Sequence, residues 1–198
     1  MKASSIRIIA GQLKGRNVPT FPGRAIRPTS QRARESLFSI LGAQIQNATM
    51  VDLFAGTGAV GLEALSRGAA KVVFVEQDPE AGASIEYMLT RFKISSSSRV
   101  LVEDVSLAIQ NSILLGWRPF DVLFMDPPYR IPNIQQLLGQ IVEADLMAPT
   151  GRIIYEHFHK TMPPFAIGEW KLIRNVRYGD TAFTFYQSRS QTEENSEP

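Results

Sequence analysis

The rhythm of apolar and polar positions changes near residue 48. Beyond it, short apolar runs (MVDLFAG, KVVFVEQD, RVLVEDV, FDVLFMD and RIIYEHF) alternate with longer stretches of mixed polarity. The runs are β-branched or aromatic and apolar on both faces. That pattern suits central parallel strands covered by helices on either side. The windows 59–69, 79–93, 105–115 and 133–147 read as the intervening helices, and Pro79 suits the first turn of its helix. The alternation predicts right-handed βαβ units in a doubly wound sheet. The last two runs, WKLIRNVRY and TAFTFYQ, bracket Gly179-Asp180 and read as a β-hairpin closing the sheet edge.

The segment before residue 48 follows another pattern. IRIIAG and GRNVP flank Gln12-Leu13-Lys14 as a small hairpin. RPTSQRARESLFSILG then offers Thr29 or Ser30 as a helix cap, with Leu37, Phe38, Ile40 and Leu41 as the apolar face. The tail, SRSQTEENSEP, is polar and reads as disordered. The expected organisation is an extension over 1–48, a main domain over 49–187 and a tail over 188–198.

Composition narrows the class. The 198 residues include no cysteine, which excludes a disulfide framework and thiolate metal sites and fits a reducing cytoplasm. No apolar run approaches the roughly 18 residues of a membrane span, and the N-terminus is too weakly apolar for a secretory signal. The net charge of +2 hides an asymmetry. Lys2, Arg7, Lys14, Arg16, Arg24, Arg27, Arg32 and Arg34 precede the first acid, so the remaining chain is net negative. A basic arm on an acidic body points to a polyanionic partner.

The end of the first main-domain strand reads Asp52-Leu53-Phe54-Ala55-Gly56-Thr57-Gly58, with Gly61 completing GxGxxG. Alone, that spacing is a weak nucleotide signal. Asp52 changes its meaning, because a carboxylate beside the loop repels a pyrophosphate and attracts a ligand bearing an ammonium and a sulfonium. S-adenosylmethionine bears both and has no phosphate. Glu76, with Gln77 after it, ends the second strand, where a carboxylate accepts from ribose hydroxyls. Asp104, before Val105, ends the third, placed to accept from the adenine amine.

The fourth strand ends in MDPPYR. Two prolines remove two backbone donors and stiffen the turn. An exocyclic amine on a base is a poor nucleophile because its lone pair is delocalised. The Asp126 carboxylate and the Pro127 carbonyl, held rigid by Pro128, can accept its two N–H groups and turn the lone pair toward a methyl donor. Such orientation is worth several kcal/mol. Tyr129 can stack on a base swung out of its helix, and Arg130 can hold the adjoining phosphate.

These residues resemble a known family. DLFAGTGAVGLEALSRGA followed by DPPY is similar to class I SAM-dependent amino-methyltransferases; RIIAGQLKGR and RPTSQRARESLF narrow the resemblance to the RsmD family of bacterial 16S rRNA guanine-N2 methyltransferases. It covers nearly all of residues 6–186. The resemblance implies an α/β, Rossmann-like fold: a doubly wound, mostly parallel seven-stranded sheet with an antiparallel edge hairpin and a small N-terminal hairpin-and-helix extension. It implies S-adenosylmethionine against Asp52, Phe54, Ala55, Gly56, Thr57 and Gly58, its ribose on Glu76 and Gln77, and its adenine near Asp104 and Val105. The target amine would meet Asp126, Pro127 and Pro128, with Tyr129 under the base. Arg7, Lys14, Arg16, Arg27, Arg32, Arg34 and Arg130 would hold rRNA phosphates. The implied partner is small-subunit rRNA or a 30S assembly intermediate, the implied state a cytoplasmic monomer without metal.

DPPY is shared with adenine-N6 DNA methyltransferases, and glutamine-N5 protein methyltransferases follow the same logic, so both stay open. The first would want a target-recognition segment for which the chain has no room; the second has little use for a basic arm. A nicotinamide oxidoreductase would need a proton donor such as Tyr-x-x-x-Lys, which is not visible. A non-catalytic RNA-binding module leaves the strand-end acids unexplained. Glu156-His157-Phe158-His159 is too sparse for a metal site. Phe165 and Trp170 read as core or hairpin packing rather than base platforms.

Overall fold

A computed structural model describes residues 5–20, 29–128 and 133–188. The chain opens with β1 (Ser5–Arg7) and β2 (Asn17–Pro19), an antiparallel pair, and then α1 (Gln31–Leu41). The main sheet follows: β3 (Thr49–Leu53), α2 (Ala59–Ser66), β4 (Lys71–Val75), α3 (Pro79–Arg91), β5 (Ser98–Leu101), α4 (Val105–Ala108), α5 (Ser112–Trp117), β6 (Phe120–Met125), α6 (Ile134–Glu143), β7 (Met147–Phe158), β8 (Ala166–Ile167), β9 (Trp170–Tyr178) and β10 (Thr181–Ser188).

Eight strands lie in the order β5-β4-β3-β6-β7-β10-β9-β8. β3 to β7 run parallel, and β10 enters antiparallel between β7 and β9. The expected doubly wound sheet and edge hairpin are both present. The additional strand is β8, two residues paired with the start of β9; so short a strand has no periodicity to read. The chain builds outward from β3 to β4 and β5, then returns to lay β6 on the other flank of β3. That reversal is a topological switch point, where open α/β sheets bind ligands.

The strand side chains divide into two layers by alternation. Phe74, Phe124, Ile154, Phe183 and Phe185 pack with α1, α2 and α3. Leu53, Val75, Leu123, Ile153 and Tyr186 pack with α4, α5 and α6. Both faces are covered, as the apolar runs required.

The helix expected over 105–115 is two short ones. Asn111 interrupts it by capping α5, its side chain accepting from Ile113 N at 2.8 Å and donating to Glu103 Oε1 at 2.6 Å. Asparagine favours caps because its side chain competes for backbone groups. Ser30 is the cap of α1, accepting from Ala33 N at 3.2 Å. Leu37, Phe38 and Leu41 are buried beneath it and Ile40 is half-buried. Trp170 is in the core, whereas Phe165 is 80% exposed and packs in neither core nor hairpin.

The N-terminal hairpin is fastened to α2. Ile9 N and Ala10 N donate to the two Glu63 carboxylate oxygens at 2.8 and 3.0 Å. Gln12 N reaches Ser66 O at 2.8 Å, and Leu13 N reaches Ser66 Oγ at 2.9 Å. Gly11, at φ +81°, passes so close that a Cβ would stand 1.7 Å from Ser66 O. Ile8 and Val18 join the hydrophobic layer of α1 and α2. The expected tail beyond residue 188 lies outside the described residues.

Candidate active site

The turn after β3 is shaped by its glycines and by Asp52. Phe54, Gly56 and Gly58 take φ of 66°, 55° and 72°, a left-handed region that is strained for phenylalanine. Gly58 starts α2 without a side-chain cap, leaving first-turn N–H groups facing the loop. Asp52 passes beneath and accepts from Gly61 N at 2.9 Å. Gly61 itself answers to packing, since a Cβ there would lie 2.3 Å from the Phe74 ring.

Glu76 ties two loops together. One carboxylate oxygen accepts from Gly56 N at 2.6 Å and the other from Asp78 N at 2.8 Å. Asp104 caps α4, accepting from Ser106 N at 2.8 Å, and its side chain is exposed at the edge of the site. β3 and β6 are neighbours with Leu53 opposite Met125, so the turn that begins at Asp126 stands beside the glycine turn. Asp126 is half-buried, Pro127 buried and Pro128 exposed.

These segments line a cleft of about 1010 Å³. One end holds Asp52, Phe54, Ala55, Gly56, Thr57, Glu76, Gln77, Asp104 and Val105. Asp126, Pro127 and Pro128 stand in the middle. The far end is walled by Thr29, Ser30, Arg32, Glu156 and the β9–β10 turn from Arg177 to Thr181. That wall was not anticipated. Glu156 follows Tyr155, the last residue of β7 paired with β6, although β7 runs on to Phe158 against β10; the strand-end rule applied to the run RIIYE would have found it. Nothing in the sequence marks the hairpin turn as a wall.

Burial pushes the Asp52 carboxyl up to about 7; the Glu76 and Glu156 charges add to the rise and the Gly61 N–H opposes it. Burial also raises Glu76, against hydrogen bonds from Gly56 and Gln77. Among the described residues the Asp52 end of the cleft has no lysine or arginine in its wall. A pyrophosphate would meet carboxylates and no counter-charge. A cationic ligand would relieve the burial of Asp52. The donor set therefore fits S-adenosylmethionine and not a dinucleotide.

The basic residues separate. Arg32 is exposed at the mouth of the cleft. Lys14 and Arg16 are exposed at the opposite ends of the helices, since the hairpin turn bonds to Ser66 at the end of α2 and the Arg16 guanidinium lies 5.9 Å from the Phe92 ring at the end of α3. Arg7 is exposed on β1. Arg34 corrects the sequence reading. It is 1% exposed, donates to Arg7 O at 3.1 Å and pairs with Glu63 at 3.7 Å, so it is a packing residue with no access to phosphate. It sits on the apolar stripe of α1, and its counter-charge lies on another helix. Arg27, Tyr129 and Arg130 lie outside the described residues.

His157 is buried, hydrogen-bonded through Nε2 to Thr184 Oγ1 at 2.8 Å, and burial lowers its pKa. Its Nδ1 lies 2.9 Å from Phe158 O, which can only accept, so Nδ1 carries the proton. Among the described residues no three histidine, aspartate or glutamate side chains gather as metal ligands, and no helix is long and apolar enough to cross a membrane.

Residues 6–187 match the family model described as "Conserved hypothetical protein 95". The chain belongs to this family, the RsmD family. It is 33% identical over 187 residues to "Ribosomal RNA small subunit methyltransferase D" of Haemophilus influenzae, covering 92% of this chain and 94% of the relative. The Escherichia coli K12 protein of the same name is 31% identical over 195 residues, covering 98% of this chain and 96% of the relative. Among solved structures, a candidate methyltransferase of Escherichia coli, yhhF, superposes with a TM-score of 0.83 at 32% identity, over 95% of this chain and all of that one.

Proposed function

We propose that this RsmD-family protein transfers a methyl group from S-adenosylmethionine to the exocyclic N2 of a guanine in small-subunit rRNA. Methyl transfer to rRNA is supported by family membership and by the names of the full-length relatives. Transfer to an exocyclic amine is supported by one observation above the others: β3 and β6 are hydrogen-bonded neighbours, so the acid-lined end of the cleft and the Asp-Pro-Pro turn adjoin; the family resemblance, with rRNA as substrate, points that amine to guanine N2.

In this reading Asp52 holds the ammonium of the donor, Glu76 and Gln77 its ribose, and Asp104 and Val105 its adenine. The backbone from Phe54 to Gly58 approaches its methionine part. The donor supplies a methyl group on a sulfonium that leaves as a neutral thioether. Asp126 and the Pro127 carbonyl accept the two N2 hydrogens and direct the nitrogen lone pair. The N–C bond forms as the S–C bond breaks, the sulfur keeping the pair, and one N2 proton passes to Asp126 or to water. Tyr129 stacks on the base, and Arg130 with Arg32 holds neighbouring phosphates. Arg7, Lys14 and Arg16 extend the contact to more distant rRNA phosphates, in free rRNA or in a 30S assembly intermediate, with the protein acting as a cytoplasmic monomer.

Mass spectrometry of rRNA from a strain lacking the protein should show one guanine without its N2 methyl, restored by the purified protein acting on undermethylated subunits. Incorporation into DNA adenine or protein glutamine instead would replace this reading with the corresponding rival.

A further inference from the structure

The outer flank of the sheet carries cations that the scheme above does not use. β8 pairs only with Trp170 and Lys171, so among the described residues the rest of β9 forms an open sheet edge. Lys171 and Arg174 are exposed on it. Three residues apart on a regular strand, they would point to opposite faces. A bulge prevents this. Arg174 pairs with Phe185 and Leu172 with Tyr186, which leaves Ile173 as the extra residue, 39% exposed. Lys171 then pairs with Gln187. The two cations therefore stand opposite residues two positions apart on β10 and share one face. Bulges serve to re-aim side chains in this way.

Arg152 joins that face from the interior of the sheet. Phe185 pairs with Ile154 of β7 as well as with Arg174 of β9, and Arg152 is two positions before Ile154. Arg152 is half-buried, and its Nε is buried without an acceptor. Burial lowers its pKa and the Arg174 charge lowers it further, so the two guanidinium groups are close enough to repel. Among the described residues no acid is ion-paired with Lys171, Arg174 or Arg152, and neither β9 nor β10 contains a carboxylate. Cations on an open edge discourage edge-to-edge pairing. Arg152 lies two strands inside that edge and cannot serve there. Three cations gathered on one face, one of them with a buried N–H lacking an acceptor, are complemented by an anion.

Position identifies the anion. Arg152 is four residues before Glu156 in the cleft wall, about 13 Å along the strand. Arg177, three residues beyond Arg174 on β9, lines the cleft itself. β9 thus links the cluster to the mouth of the cleft, and a nucleic acid with a base in the cleft reaches the cluster within a few nucleotides.

We propose that Lys171, Arg174 and Arg152 seat a backbone phosphate of the rRNA strand leaving the cleft, a contact on the β9 flank separate from the basic residues of the N-terminal extension. This rests on rRNA being the substrate. The seat fixes the path of the strand and reads no base, because phosphate contacts carry no sequence information.

The test measures binding of wild-type and Lys171→Ala/Arg174→Ala protein to undermethylated small-subunit particles across a salt series, with methyl-transfer kinetics on the same particles. The double variant should bind about tenfold more weakly at about 0.1 M salt, and the slope of log affinity against log salt should fall by at least about one. KM for the particle should rise about tenfold with kcat changed less than about twofold, as for lost uniform binding. Calorimetric affinity for S-adenosylmethionine should change less than about threefold, which also shows that the variant is folded. Lys171→Arg/Arg174→Lys should restore both slope and KM, because the charge is what a phosphate requires. Should the double variant prove unstable, Arg174→Gln alone should move slope and KM in the same direction by a smaller amount. An unchanged slope and KM, or a fall in kcat with the slope unchanged, would overturn the assignment. New self-association in light scattering with unchanged RNA binding would overturn it too, giving Lys171 and Arg174 to protection of the edge. If the wild type binds the particles but transfers no methyl to them, the functional reading fails while the salt slopes still decide the seat.

Discussion

Two carboxylates are buried against α2, and they are treated oppositely. Glu63 lies in the second half of the helix with no exposed surface, and it is matched on every side: two backbone N–H groups from the hairpin, Arg67 Nε at 2.7 Å and Arg34 at 3.7 Å. Asp52 lies under the first half with one backbone N–H at 2.9 Å, and the charges that act on it are those of other carboxylates. Glu63 is complete as folded and works as a clamp for the extension. Asp52 has no cation facing it among the described residues, and the ammonium of the proposed donor would supply one. Burial alone does not separate a structural acid from a binding acid; the sign of the nearest charges does.

Removing either partner set should break this contrast in a different way. The largest effect belongs to Glu63→Ala, which leaves Arg34 buried without its counter-charge and two hairpin N–H groups without acceptors. Denaturant unfolding should report a loss of about 3–5 kcal/mol; a loss below about 1 kcal/mol would mean that the clamp is not what holds the extension. Asp126→Ala should lower single-turnover methyl transfer by on the order of a hundredfold or more while donor affinity is retained, because it disturbs alignment and not the donor pocket. Equal loss of both in calorimetry and kinetics would count against that division.

Asp52→Asn sharpens the other side of the comparison. In the ligand-free protein Asp52 keeps its proton up to about pH 7, whereas in the unfolded chain it loses it near the ordinary carboxylate value. The folded state therefore binds more protons across that window, so wild-type stability falls as pH rises from about 4 to about 7 and levels off above. Asn at this position should remove that slope. It should also weaken S-adenosylmethionine binding by about 2 kcal/mol at pH 8, with a smaller gap at pH 6, where the wild type must first ionise. Wild-type binding near neutrality should release a proton, visible as a dependence of the calorimetric heat on the buffer. The smallest effect is expected from Arg32→Ala, which should weaken RNA binding and lower the salt slope by about one. Arg34→Ala should instead register as lost stability, because that guanidinium is buried.

The sheet was legible because every central strand is a short apolar run ending in an acid or a glycine turn, a signal set by local alternation. The same locality made Asp52, Glu76, Asp104 and Asp126 recognisable as a set, and the structure gathers all four along one cleft. What escaped depends on distant partners. Arg34 reads as one more cation in a basic arm until Glu63 is seen facing it. Glu156 reads as part of a weak histidine motif until Thr29 and the cleft are seen beside it. The break at Asn111 was local and still hidden, because an asparagine can either continue or cap a helix and its bond to Glu103 decided the matter. β8 is too short to alternate.

The attachment of the hairpin also bears on synthesis. Ile9 and Ala10 emerge from the ribosome ahead of the groups that receive their N–H bonds, which are 54 and 53 positions downstream. Until the helix bearing Glu63 and Ser66 has been translated and laid on its strand, the opening segment has nowhere to dock. The hairpin is thus made well before its docking site, and a nascent protein arrested before residue 66 should leave residues 5–20 open to protease.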